Sequence, residues 1–169
     1  MVKKSLNKIS PLAPKGIKRL SPVEGVSLYT YCANLYNKQR NDLSVFLFHN
    51  KSFIAEVFTK SSLRSATLDW NSQALKGKEV QAIVVNAGNA NTFTGKQGEK
   101  AIEKVVKTIA SQFKISKKKI FVASTGVIGE PFPTQKVVRA IKKRKVPSKN
   151  WIDAARAMMT TDTYPKGTS

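Results

Sequence analysis

Two short stretches of the chain carry residue types that can grip a small polar ligand. Residues 124–129, Ser-Thr-Gly-Val-Ile-Gly, follow an apolar run of strand formers at 120–123, and residues 86–95, dense in Asn and Gly, follow the apolar run 80–85. Small residues at the C-terminal end of a strand let the backbone turn tightly and come close to a ligand. That places Thr125 and Gly126 where open α/β sheets bind ligands, and where a turn with free backbone N–H groups can hold an oxyanion or a phosphate. The competing reading is a plain strand-to-loop exit, since Ser-Thr-Gly is common in loops. The Asn-rich stretch can enter left-handed conformations and present side-chain amides.

A group to act on such a ligand is missing. Nucleophilic mechanisms of the Ser-His-Asp or Cys-His kind need a histidine, and the single one, His49, falls at the tip of a predicted hairpin. One His, one Cys and scattered carboxylates show no metal-ligand spacing, so no metal is expected. Gly88, Gly95 and Gly98 fit neither standard glycine-rich phosphate cradle.

The elements that must position these stretches follow from periodicity. Residues 1–22 mix prolines, glycines and lysines without a repeat and read as an irregular basic arm. Residues 43–48 and 53–58, rich in β-branched and aromatic residues, flank the polar 49–52 and predict a hairpin. Over 61–75, Leu63, Ala66, Trp70 and Ala74 share a helical face, ended by Lys76-Gly-Lys78. A strand at 80–85 comes next. Ile102, Val106, Ile109 and Phe113 then repeat at helical spacing opposite Lys100, Lys104 and Lys107, before the strand at 120–123. Thr134 is a plausible N-cap for a helix burying Val137, Val138 and Ile141 and ending in the basic 142–145. A last helix starts near Ser148, carries Trp151, Ile152, Ala155 and Met159, and stops at 160–165. Helices between strands predict an α/β class, a layered sheet-and-helix domain over 23–169.

With 169 residues, 41% of them hydrophobic, the chain can bury one sizeable core. Its formal charge of +20 would draw it toward polyanions, and the alternative reading is a small basic nucleic-acid-binding domain. The lysine clusters at 114–119 and 142–149 are not interleaved with aromatics, however, and no groove-reading motif is present, so the lysine reads as solvated surface and no specific nucleic-acid partner is expected. No apolar run approaches the roughly 20 residues that span a bilayer, and the basic N-terminus lacks a secretory apolar segment. With one unpaired Cys32, the expectation is a cytoplasmic protein without a membrane partner.

At the same residues the chain resembles the arginine-biosynthesis ornithine acetyltransferases, also called glutamate N-acetyltransferases. The likeness lies in Val84-Val-Asn-Ala-Gly-Asn-Ala-Asn-Thr-Phe-Thr-Gly95, Ala123-Ser-Thr-Gly-Val-Ile-Gly-Glu130 and Ala157-Met-Met-Thr-Thr-Asp-Thr-Tyr-Pro-Lys166, with a weaker match over 53–70. It runs from about Gly25 to Lys166 in family order. The resemblance implies a precursor that cuts itself before a threonine, which then carries acetyl from N-acetylornithine to glutamate. Some members also use acetyl-CoA, and no metal or prosthetic group is required. It assigns the oxyanion hole to Thr125 and Gly126 and a substrate contact to Thr160 or Thr161, Thr160 preferred. It further implies that the chain is the first-subunit part, that its partner is its own C-terminal subunit in a hetero-oligomer, and that the nucleophile lies outside these residues, leaving the fragment inactive. Glu56 stands where the family pattern has glycine, and Ala87 and Thr92 differ within the Asn-rich loop.

Overall fold

A computed structural model describes residues 9–16, 20–143 and 145–168. Among these residues one sheet holds β1 (Val26–Tyr31), β2 (Leu43–Phe53), β3 (Glu79–Asn89) and β4 (Ile120–Val127) in that spatial order. The pairs β1/β2 and β2/β3 are antiparallel; β3/β4 is parallel and needs a crossover, which the long helix between them supplies. The helices are α1 (Ala66–Ala74), α2 (Gly95–Phe113), α3 (Thr134–Lys142) and α4 (Ile152–Met158). The α/β class read from the sequence is therefore the one observed.

Alternation along the strands gives the sheet two unlike faces. On the first, Tyr31, Leu43, Val45, Ala82, Val84, Ile120 and Val122 form the main core with Ile102, Val105, Val106 and Ile109 of α2 and Val137 and Ile141 of α3. Burial pushes the Tyr31 phenol up to about 12, with Tyr29 adding to the effect. On the second face α4 packs across β1 to β3, and Trp151 meets Phe46 at 5.9 Å between ring centroids. Phe121 is closed in by Ala74, Phe48, Ile54 and Ile83. Further along this second face, Ala123 and Val127 are exposed and Thr125 is half-buried.

Several expectations give way. The hairpin at 43–58 does not form: β2 runs straight through 49–52, its register shifting between Leu47 and Ser52, and its antiparallel neighbour is β1. The polar residues there are strand residues facing solvent, not a turn. His49 donates its N–H to the Gly25 carbonyl (2.8 Å), and its ring meets Ser27 Oγ at 2.7 Å. α1 begins at Ala66 and Leu63 is exposed, because Ser61 Oγ takes the Leu63 N–H in a local turn. Pro133, not Thr134, is the N-cap of α3, and the Thr134 hydroxyl donates to the Phe132 carbonyl. α4 starts at Ile152, later than expected, and excludes Met159. Residues 1–8 and 17–19 of the expected arm lie outside the described residues. Strands β3 and β4 also run four residues further than the apolar runs predict.

Those four extra residues carry the two candidate stretches into the ladder. The reason is the edge chemistry of β4. As an outer strand it would leave alternate backbone groups unpaired, and α1 covers the first of them. Trp70 Nε1 donates to the Ile120 carbonyl (2.9 Å), and Asn71 accepts the Val122 N–H (2.9 Å) while donating to the Val122 carbonyl (3.0 Å). One buried asparagine thereby acts as a fifth strand for a single residue.

Candidate active site

The C-terminal ends of β3 and β4 lie side by side, pairing Asn86 with Ser124, Ala87 with Thr125, Gly88 with Gly126 and Asn89 with Val127. Gly126 has φ +133, and a Cβ there would sit 2.3 Å from the Gly88 carbonyl carbon. Any side chain at 126 would push the two strands apart, so the glycine is required by the close approach of backbone to backbone.

The Asn-rich stretch turns out to be scaffolding. Ser124 Oγ donates to Asn86 Oδ1 (2.6 Å), and Asn86 Nδ2 donates to the Asn89 carbonyl (2.9 Å). Asn89 Oδ1 accepts the Asn91 N–H (2.8 Å), and its Nδ2 donates to the Glu130 carbonyl (3.1 Å). Asn91 accepts the Thr94 hydroxyl (2.9 Å) and donates to the Gly98 carbonyl (3.3 Å). All three asparagines are buried. Their amides, expected to face a ligand, are instead spent within the fold: Asn86 and Asn89 tie the β3 end to β4 and the residues after it, and Asn91 holds the start of α2. This is a correction of the two-loop expectation: one stretch builds, the other presents.

What the second stretch presents follows from hydrogen-bond parity. The Val122 N–H and C=O face α1, away from β3, so in a pleated strand the N–H groups of Ser124 and Gly126 face the same outer side. The Ala90 N–H donates to the Val127 carbonyl (2.9 Å), which confirms that odd-numbered residues of β4 serve β3. Among the described residues nothing accepts the outward N–H of Ser124 or Gly126. The Thr125 hydroxyl, on the second face, likewise has no hydrogen-bond partner among them. A hydroxyl and an adjacent N–H therefore stand ready, unused by the fold.

Thr160 is brought to the same end of the sheet by the connection between β1 and β2, residues 32–42. The Tyr36 ring lies against Gly88, where a Cβ would meet its edge at 3.4 Å, and the Tyr36 hydroxyl donates to the Met159 carbonyl (3.4 Å). Arg40 Nη2 donates to the carbonyls of Arg156 (2.8 Å), Ala157 (3.4 Å) and Met159 (2.8 Å), closing the C-terminus of α4, while its guanidinium sits 4.9 Å from the Tyr36 ring centroid. Thr160, next in the chain, is half-buried; Thr161 is exposed.

This connection is itself anchored by Asp42. The fully buried Asp42 carboxylate accepts the N–H groups of Ala33 and Leu35, each at 2.7 Å, and its carbonyl accepts the Ala87 N–H at 2.9 Å. Burial pushes its pKa up, while the Leu35 and Ala33 N–H groups and Arg40 pull it down. Tyr36, Arg40 and Asp42 escaped the sequence reading. Only an acidic residue just before an apolar run hinted at Asp42, and the α4 carbonyls that Arg40 Nη2 grips lie more than 100 residues away.

The remaining candidates stay apart from this end. His49 is exposed far along β2, and Cys32 is exposed with Lys38 O as its nearest acceptor at 4.0 Å. No cluster of three metal-ligating side chains occurs among the described residues. A hollow of about 140 Å³ at the start of α2 contains Arg64, but Asp69 already pairs with it at 3.3 Å and Glu99 adds a second carboxylate.

A family model, the ArgJ family, matches residues 27–169. The chain belongs to the ArgJ family. It is 41% identical over 161 residues to the arginine biosynthesis bifunctional protein ArgJ of Bartonella quintana, covering 94% of this chain and 39% of that protein. The Rhizobium meliloti protein of the same name is 41% identical over 160 residues, with the same coverage. The chain thus spans about two fifths of the length of the curated ArgJ relatives it matches. Among solved structures, ArgJ from Bacillus halodurans superposes with a TM-score of 0.77 at 29% identity, over 83% of this chain and 74% of that one. A Mycobacterium tuberculosis structure, described as ornithine acetyltransferase complexed with ornithine, shares the fold with a TM-score of 0.76 at 24% identity, over 84% and 79%. No described helix is long and apolar enough to cross a membrane.

Proposed function

We propose that this chain is the first-subunit part of an acetyltransferase that moves acetyl from N-acetylornithine to glutamate. Its nucleophile is a threonine freed by self-cleavage and contributed from outside these residues. Thr125 and Gly126 form the oxyanion hole, and Thr160, rather than the exposed Thr161, contacts substrate. The observation carrying this reading is the pair of unused donors, the Thr125 hydroxyl and the Gly126 N–H, on a strand end held rigid by Asn86 and Asn89.

The chemistry follows from those positions. Attack of a threonine hydroxyl on the acetyl carbonyl carbon, with loss of its proton to a base, puts negative charge on the carbonyl oxygen. Donors from Thr125 and Gly126 stabilise that oxygen without reorganising, a contribution of about 2.7–4 kcal/mol per donor in comparable sites. Collapse breaks the C–N bond and releases ornithine, whose amine takes a proton; the glutamate amine then attacks the acetyl ester, and as it loses a proton the ester C–O bond breaks, freeing N-acetylglutamate and returning the threonine hydroxyl. Neither step needs a metal or prosthetic group, and acetyl-CoA is an alternative acetyl source with a thiol as leaving group.

Two findings support a two-part protein. The curated relatives are matched over 39% of their length, whereas the Bacillus halodurans chain is matched over 74% of its own, so that solved chain is much shorter than the curated products. The composition supports it too, since a lone exposed His49 and a lone Cys32 leave nothing within this chain to activate. The test is direct: the complete protein with N-acetylornithine and glutamate should yield ornithine and N-acetylglutamate. Absence of transfer from any acetylated amino acid refutes the reading.

A further inference from the structure

We propose that Arg40, together with Tyr36, is a positioning residue for substrate: the pair sets the spacing between the oxyanion donors on β4 and Thr160. Neither side chain is assigned a contact with the reacting atoms; both act through Thr160. The inference deepens the acyltransfer reading and rests on it.

Thr160 follows a helix end that is closed from a distance. α4 is seven residues long, and the chain leaves it at Met159 (φ −59, ψ 132) with no glycine there to satisfy its last carbonyls. Arg40 satisfies them from 116 to 119 residues away. Its Nη2 donates to the carbonyls of Arg156 and Met159 at 2.8 Å and of Ala157 at 3.4 Å, and such charge-assisted bonds are stronger than neutral ones. The next residue along is Thr160. The ties beyond it, the Ser10 N–H on the Thr163 hydroxyl (3.1 Å) and the Asp162–Lys166 ion pair, are exposed, whereas the Arg40 bond to the Met159 carbonyl is partly buried.

Tyr36 ties the same segment to the oxyanion strand. Its ring lies against Gly88, the β3 partner of Gly126, while its hydroxyl donates to the Met159 carbonyl (3.4 Å) and its ring centroid sits 4.9 Å from the Arg40 guanidinium. Contacts thus run from Gly126 through Gly88, Tyr36 and Met159 to Thr160. The connection that carries both residues is itself pinned. Asp42 takes the N–H groups of Ala33 and Leu35, and Lys136 of α3 donates to the Asn34 carbonyl (3.0 Å) and to Asn37 Oδ1 (3.2 Å), both asparagines holding left-handed φ of 59 and 52. A substrate reaching from an acetyl carbonyl at Thr125 to a contact at Thr160 stays in register only while that spacing holds, since a misplacement of about 1 Å is felt in such sites.

A double-mutant cycle in the complete protein tests the proposal, with steady-state transfer from N-acetylornithine as one readout and the melting temperature as the other. Arg40→Gln should raise the Michaelis constant for N-acetylornithine about 10-fold and change turnover less than about 3-fold, because what it loses is binding shared by the ground and transition states. Made on Thr160→Ala, the same substitution should change the Michaelis constant less than about 2-fold, since no contact remains to be positioned. Arg40→Lys, which keeps the charge without the planar fork, should fall between, and it carries the same cycle if Arg40→Gln does not fold. A purely structural Arg40 predicts a lowered melting temperature with the Michaelis constant unchanged, or raised by the same factor in both backgrounds. Either result, with Thr160→Ala weakening binding, overturns the proposal and leaves the acyltransfer reading intact. An inert Thr160→Ala refutes the Thr160 contact and overturns the proposal through it, while acetyl transfer by the wild type still decides the rest of the reading.

Discussion

The two halves of β4 are built to opposite ends. In residues 120–122 every side chain is buried, and the outward backbone groups are taken by Trp70 and Asn71; in 123–127 the side chains emerge and the outward N–H groups are left open. One strand thus passes from core to candidate site within five residues. Strands near an active site cannot satisfy every backbone donor internally, because a donor already bonded has nothing to offer a developing charge. The closed half anchors the open half, which is what lets Thr125 and Gly126 stay rigid while unpaired.

Substitutions at the two halves should separate along that line. The largest effect is expected from Thr125→Ala in the complete protein: turnover falling about 100-fold or more with the Michaelis constant little changed, because an oxyanion donor, the role proposed for Thr125, acts mainly in the transition state. Its melting temperature should stay near wild type, since the hydroxyl bonds nothing in the fold. An unchanged turnover with weaker substrate binding would make Thr125 an ordinary ground-state contact and erase the distinction between the halves.

In the closed half, Asn71→Ala should do the reverse. It strips partners from the buried Val122 N–H and C=O and from Glu56, and each buried group left unsatisfied costs about 1–3 kcal/mol. Denaturant unfolding should show a loss of about 3 kcal/mol, and amide exchange at Val122 should rise toward that of Ser124. A loss under about 0.5 kcal/mol, the scale of a neutral surface change, would mean that water replaces Asn71 and that the edge is not closed there.

The smallest expected effect sharpens the same boundary through pH. Glu56 bonds Asn71 with one carboxylate oxygen (3.0 Å), and its other oxygen is buried without a partner. Burial raises its pKa, the Asn71 bond opposing. A raised acid favours the protonated form in the folded state, so its stabilising contribution is complete below the unfolded pKa and is lost as pH rises through the folded one. Glu56→Gln should remove that loss: the stability difference between variant and wild type should grow in the variant's favour as pH rises from below the ordinary carboxyl range toward neutrality. A difference that does not vary with pH would place Glu56 in water.

Much of the candidate site was legible because its motifs are contiguous. The run Ser124-Thr125-Gly126 after apolar residues pointed to a strand end with usable donors, and the long-range fold puts it at such an end. The asparagines of 86–91 were seen but misread, since the sequence cannot tell an amide facing a ligand from one facing Glu130 or Gly98. The hairpin misreading has a similar origin. His49 to Ser52 is polar enough for a turn, but polarity also suits an exposed stretch of strand, and only the pairing of β2 with β1 distinguishes the two.

By itself, then, the sequence determined the local terms: which segments alternate as strands or repeat as helices, and that Gly126 sits among small residues able to turn. These are properties of neighbours along the chain, where propensity and side-chain period act directly. Tertiary structure decided which donors remain unused. That choice depends on Asn71 reaching β4 from 51 residues away, on the parity that turns the Gly126 N–H outward, and on Arg40 gripping carbonyls up to 119 residues distant beside Thr160. Hydrogen-bond satisfaction is a sum over everything packed around a group, so no local pattern can state it in advance.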